Sequence, residues 1–124
     1  MAEDGFFNIK DMAQGLRREL SGGISSRIFF GENVMLSVVE VPANAQGDAH
    51  SHSEEQWGLV LEGECVRIQG GREVPARAGD FWYTPGGMPH TVRTGDKPAV
   101  ILDIFSPPRK AYKTPGKGYG TEEG

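Results

Sequence analysis

Arg67-Ile68-Gln69-Gly70-Gly71-Arg72-Glu73-Val74 decides the architecture of this chain. Two glycines, both free to adopt positive φ, separate two short extended runs, which is the sequence form of a two-residue hairpin. Outward from this hairpin, short apolar and β-branched runs alternate with turn residues at 26–30, 34–41, 57–61, 65–68, 73–75, 81–84, 91–93 and 100–105. About eight strands are predicted, with further turns at Gly31-Glu32-Asn33 and Gly95-Asp96-Lys97. No helix of useful length separates the runs, which excludes a parallel βαβ arrangement and predicts an all-β, antiparallel barrel or sandwich. Helical spacing occurs only over 9–20, where Met12, Leu16 and Leu20 recur at i, i+4 and i+8 behind Asp11 as a cap. At most one short N-terminal helix, or a turn, is expected there.

The chain has 124 residues, which fits one domain. The expectation is a single unit over 1–124, with the barrel from about 24 to 109 and a frayed tail over 110–124, whose apolar content is low. The net charge of −4 supplies no positive field for phosphate backbones or anionic lipid, so neither nucleic acid nor a membrane is expected as a partner. The apolar runs fall far short of the roughly 20 residues that span a bilayer. The first residues are acidic where a secretory signal is basic, and the single cysteine, Cys65, has no disulfide partner within the chain. Both features suit a reducing cytoplasm.

The chain holds only three histidines, His50, His52 and His90, each in a polar or Gly/Pro-rich segment beside a predicted strand. In an extended segment His50 and His52 project to one side with Cα atoms about 6.7 Å apart, which lets both reach one metal ion. Glu54, Glu55 and Gln56 follow closely enough for any of them to add an oxygen. The alternative is a pair of solvated loop histidines. A carboxylate at Asp103, inside the apolar run 99–105, is costly to bury unless paired or catalytic. Alternation puts Phe105 on the same face, and the two suit a sugar-sized pocket. Pro107-Pro108 then ends the strand just before Arg109, a fork-shaped cation suited to a substrate carboxylate at a pocket mouth. A salt bridge from Asp103 to Arg67 or Arg93 is the structural alternative. Trp57, Trp82 and Tyr83 read as core aromatics, Cys65 as a buried small hydrophobe, and Arg17-Arg18 and Arg72 as solvated charge.

Two segments change the weight of these readings. Gly47-Asp48-Ala49-His50-Ser51-His52-Ser53-Glu54-Glu55-Gln56, continuing to Gly63, and Gly79-Asp80-Phe81-Trp82-Tyr83-Thr84-Pro85-Gly86-Gly87-Met88-Pro89-His90 resemble the two signature motifs of the cupin superfamily. The resemblance implies a double-stranded β-helix, or jelly-roll barrel, binding one divalent metal (Zn, Ni, Fe, Mn or Co) through His50, His52, Gln56 and His90. Gln56 stands where many cupins carry Glu. A neutral amide leaves the ion its full charge, which makes a stronger Lewis acid that favours anionic ligands.

The run Asp103-Ile104-Phe105-Ser106-Pro107-Pro108-Arg109 is similar to that of the KdgF-type cupins of pectin and alginate breakdown. That narrower resemblance implies a metal-dependent enzyme that opens 4,5-unsaturated monouronates to linear keto forms. Asp103 and Arg109 would be catalytic, and Phe105 and Arg109 would hold the carboxylated sugar. It also implies a homodimer, with residues 1–30 at the interface. A metal-dependent oxygenase and a non-catalytic ligand-binding barrel are the competing functions.

Overall fold

The computed structural model describes residues 4–120. Nine strands follow in chain order: β1 (Leu16–Glu19), β2 (Ser25–Phe30), β3 (Met35–Val41), β4 (Glu55–Gln69), β5 (Arg72–Arg77), β6 (Phe81–Thr84), β7 (His90–Arg93), β8 (Ala99–Ser106) and β9 (Gly116–Lys117). The only helical turn among them is a 3-10 turn at Lys110–Lys113.

Period-two patterning builds the barrel wall. On β3, Met35, Ser37, Val39 and Val41 are buried while Leu36 faces out, and β8 pairs with it antiparallel from Met35↔Phe105 to Val41↔Ala99. The larger sheet runs β6, β4, β8, β3, β2, β1, β9, and the second half of β4 pairs with β5 and β7. Isolated bridges Gln46↔Arg93 and His50↔His90 fasten the segment after β3 to β7. One end of the interior is filled by Ile24, Val39, Val41, Val60, Cys65, Val92 and Ile101, and the other by Ile28, Met35, Phe105 and Tyr112. Each buried aliphatic side chain contributes roughly 1.5–3 kcal/mol. This is the all-β jelly roll expected from the sequence. Its one parallel pairing joins β1 to β9. No helix among the described residues is long and apolar enough to cross a membrane.

Three local expectations are corrected. The runs 57–61 and 65–68 form one continuous strand of 15 residues, because a bulge between Val60 and Glu62 and a positive φ at Gly63 bend the strand instead of ending it. No helix forms over 9–20. Gly15 sits at φ 90°, Asp11 accepts from the Ala13 N–H in a local turn, and Leu16–Glu19 extends to pair with β2. Residues 110–120 pack back on the barrel, held by main-chain carbonyls that distant arginines capture. Arg18, read as solvated, is buried and donates to the carbonyls of Gly118 (2.7 Å), Ala111 (2.8 Å) and Lys117 (2.9 Å). The remaining residues of the expected tail lie outside the described residues.

Candidate metal centre

The segment 50–56, the start of β7 and β8 converge inside the barrel. His50, His52 and His90 bring one ligating atom each to within 4.8 Å of one another. His52, His90 and Gln56 are buried, and His50 is half-buried.

Main-chain carbonyls orient all three rings from the Nδ1 side. Nδ1 lies 3.0 Å from the Asp48 carbonyl in His50, 3.1 Å from the Glu54 carbonyl in His52 and 2.9 Å from the Met88 carbonyl in His90. A carbonyl only accepts, so in His50 and His90 Nδ1 carries the proton and Nε2 presents a lone pair, whereas the His52 ring lies between two acceptor oxygens and presents Nε2 as a ligand when its proton is on Nδ1. His90 Nε2 is buried without a partner, and His52 Nε2 faces Gln56 Oε1 at 3.0 Å. With the His52 proton on Nδ1, the Nε2 and Gln56 oxygen lone pairs face each other, a donor arrangement that suits a cation, and the carbonyls that orient the imidazoles complete it. Burial holds the imidazoles in the neutral, ligating form: the pKa falls to about 4 for His50, about 4 for His52 and about 2 for His90, with the Arg67 and Arg109 charges assisting. The residues present fit a divalent metal.

Of the three oxygen donors left open by the sequence, only Gln56 meets a histidine on its Nε2 side. Glu55 is exposed and accepts from Trp57 Nε1 at 3.0 Å. Glu54 lies under His52, with its carboxylate 3.4 Å from Nδ1 and 3.9 Å from Arg109 Nε. The Gln56 amide also donates to Asp103, which turns its oxygen toward the ring nitrogens.

Asp103 and Phe105 share the inward face of β8, as alternation predicts, and both border the space beside the histidines. Asp103 Oδ1 is buried without a hydrogen-bond partner. Burial raises its pKa to about 6, against the opposing charges of Arg67 and Arg109 and the Gln56 hydrogen bond. Neither arginine named as its alternative partner forms an ion pair with it at contact distance. Arg93 pairs with Glu73 at 2.6 Å on the surface. Arg67 is buried, donates to Thr84 Oγ1 at 2.9 Å and Gln69 Oε1 at 3.2 Å, and lies over the Trp82 ring. Phe105 packs edge-on against His52 at 5.4 Å.

Arg109 is where the placement departs furthest from expectation. It stands at no mouth: it is 1% exposed, stacked on Tyr112 at 4.1 Å, and donates from Nη2 to the Tyr119 carbonyl. Its Nε and Nη1 have no hydrogen-bond partner, and Nε lies 3.9 Å from the Glu54 carboxylate. Tyr119, which nothing in the local sequence singled out, lies flat on His50 with ring centroids 3.8 Å apart. Of the aromatics read as core, Trp82 packs inward, whereas Trp57 and Tyr83 are exposed and pair with each other outside at 5.0 Å. Cys65 is buried as expected, its thiol pushed up to about 11 by desolvation.

A barrel with three inward histidines from two separated segments defines a class, and comparison with known proteins names it. The cupin domain matches residues 37–105, and the chain belongs to the cupin family. An RmlC-like cupin from Shewanella frigidimarina NCIMB 400 superposes with a TM-score of 0.74 at 23% identity, covering 86% of this chain and 96% of that one. KdgF from Halomonas sp. superposes with a TM-score of 0.67 at 25% identity, covering 72% and 83%. Dimethylsulfoniopropionate lyase DddQ from Ruegeria pomeroyi is 32% identical over 79 residues, 62% of this chain and 39% of the lyase. The chain thus spans about two fifths of the length of that curated relative.

Proposed function

We propose that this protein is a metal-dependent enzyme acting on a small carboxylated sugar, which opens 4,5-unsaturated monouronates to their linear keto form. The observation that carries the reading is the buried Asp103 Oδ1, without a hydrogen-bond partner, on the residue that borders the same space as His50, His90 and Gln56. The likeness to KdgF supports it.

His50, His52, Gln56 and His90 would hold the ion, and a bound divalent metal supplies Lewis acidity toward substrate oxygens. The chain's own residues do the rest. Ring opening is an isomerisation: the anomeric hydroxyl loses its proton as the bond from C1 to the ring oxygen breaks, the ring oxygen leaves as an enol, and C4 gains a proton as the 5-keto form appears. Asp103 takes the first proton and returns one, a task that a carboxylate with pKa near 6 performs in both directions at neutral pH. Arg109 has one buried donor, Nη1, free of any hydrogen bond or ion pair and available for the substrate carboxylate. Phe105 holds His52 in place and offers a ring edge to the sugar. The enzyme works as a homodimer in the cytoplasm on this reading, with the exposed Phe6 and Phe7 among the residues that pair.

The test is to load the protein with one divalent metal, add an unsaturated monouronate and follow the loss of its enol-ether absorbance. The expected result is acceleration that chelation abolishes. No acceleration by stoichiometrically loaded protein overturns the substrate assignment, and strict dependence on oxygen would favour an oxygenase instead.

A further inference from the structure

The space beside the histidines measures about 40 Å³. That holds a water or two, whereas small-molecule sites run to roughly 300 Å³ or more. The residues that make it small belong to the C-terminal segment. Tyr119 covers the open face of His50, and its hydroxyl accepts from Ser21 Oγ at 2.9 Å. Gly47, in the turn before His50, has no room for a side chain, because an added Cβ would lie 2.6 Å from the Tyr119 hydroxyl. The Tyr119 carbonyl takes one Arg109 donor. Arg18 holds the carbonyls of Lys117 and Gly118, and the Gly118 N–H donates to the Glu19 carbonyl at 2.7 Å.

These attachments close the site without satisfying it. With the segment in place, Arg109 Nη1 and Asp103 Oδ1 are buried without hydrogen-bond partners, and Arg109 Nε has only the Glu54 carboxylate at 3.9 Å. Each such atom carries a desolvation cost that a polar ligand would remove. The segment itself is lightly built: β9 is two residues long, and Gly116, Gly118 and Gly120 leave Tyr119 as the only side chain from 118–120 that reaches the site. Segments with so few buried contacts open locally at low free energy.

We infer that residues 116–120 form an autoinhibitory strap, seated on the ligand's side of the metal centre, which a carboxylate ligand displaces by taking Arg109 from the Tyr119 carbonyl. The nature of the ligand rests on the function proposed above. The strap itself does not.

Two measurements test it. The first follows cobalt(II) uptake by the metal-free protein in stopped flow. Tyr119→Ala is expected to raise the rate by about tenfold, the factor that one stacked aromatic pair supplies. Tyr119→Phe keeps the stack and is expected to stay near the wild-type rate, which separates uncovering of His50 from general loosening. Equal rates for Tyr119→Ala and wild type would overturn the strap and move the entrance to the opposite side, where Arg67, Trp82 and Met88 border an outer recess. The second adds galacturonate to the cobalt-loaded protein and follows hydrogen exchange at the Gly118 amide. Displacement predicts faster exchange. Unchanged or slower exchange with galacturonate bound would show a ligand enclosed by the segment and overturn the competition. If galacturonate does not bind, the substrate class is wrong and the uptake rates alone decide the strap.

Discussion

Gln56 Oε1 and His52 Nε2 lie 3.0 Å apart, and in the metal-ligating tautomer, with the ring proton on Nδ1 toward the Glu54 carbonyl and the amide N–H held by Asp103, no proton lies between them. Such a contact is repulsive until a cation joins it. Gln56→Leu is therefore expected to weaken metal binding by at least about tenfold, the scale of an outer-sphere loss or more. Gln56→Glu restores binding. Competition against a coloured chelator reads both.

Asp103 has two separable duties, and two substitutions divide them. Asp103→Asn removes the proton acceptor, so turnover of an unsaturated monouronate should fall by about a hundredfold or more while metal content is unchanged. Asp103→Ala also releases the Gln56 amide and should lower metal affinity by about tenfold. Equal turnover in wild type and Asp103→Asn would remove Asp103 from the chemistry.

Cys65 gives a clean dependence on pH. Its thiol ionises near 9.0 in the unfolded chain and at about 11 in the folded one, first because of desolvation. Below pH 9 neither state ionises and stability is unaffected. Between pH 9 and 11 only the unfolded chain loses the proton, so this group lowers folding stability as pH rises through that window. Alkylation by iodoacetamide at pH 8 should be about a hundredfold slower in the native protein than in urea, the ratio of thiolate populations two pH units apart.

Arg18 holds four carbonyls of the C-terminal segment, those of Ala111, Thr114, Lys117 and Gly118, from a strand about a hundred positions away in the chain. Arg18→Leu leaves those carbonyls without a donor and should cost about 3 kcal/mol, or on the order of 10 °C in Tm. The Gly118 amide should exchange faster than amides of β3 and β8. Uniform loss of protection across the barrel would mean that Arg18 supports the whole fold rather than this segment.

The legible parts of the sequence are those with short-range causes. Gly70-Gly71 sit at φ 57° and 81° between β4 and β5, and the alternation over β3 and β8 settles which residues face inward. The His-x-His pair and His90 meet because both flank strand ends that the barrel closes together. Gly63 misled because a glycine with positive φ serves a bend within a strand as well as a turn between two. Leu16 and Leu20 fit a helical spacing, yet they equally fit alternate positions of an extended segment, and pairing with β2 decided between them. The burial of Arg18, the inward position of Arg109 and the seat of Tyr119 depend on contacts between remote residues, and no local pattern encodes those.

The bulge in β4 works as a parity device. Before it, even-numbered positions face inward: Gln56, Gly58 and Val60. After it, odd-numbered ones do: Cys65, Arg67 and Gln69 border the interior. One extra residue at Leu61 makes the exchange, so the side chains before it and those after it are phased independently along a single strand. Removing Leu61 would restore plain alternation and leave Gln56 and Arg67 both facing inward, whereas removing Glu64 with the bulge kept would turn Arg67 to the outside and bring Val66 and Ile68 to the inner face. A one-residue deletion would thus change a cation-lined wall into an aliphatic one without altering any ligand, which makes the length of this strand a natural point at which related barrels diverge in what they accept.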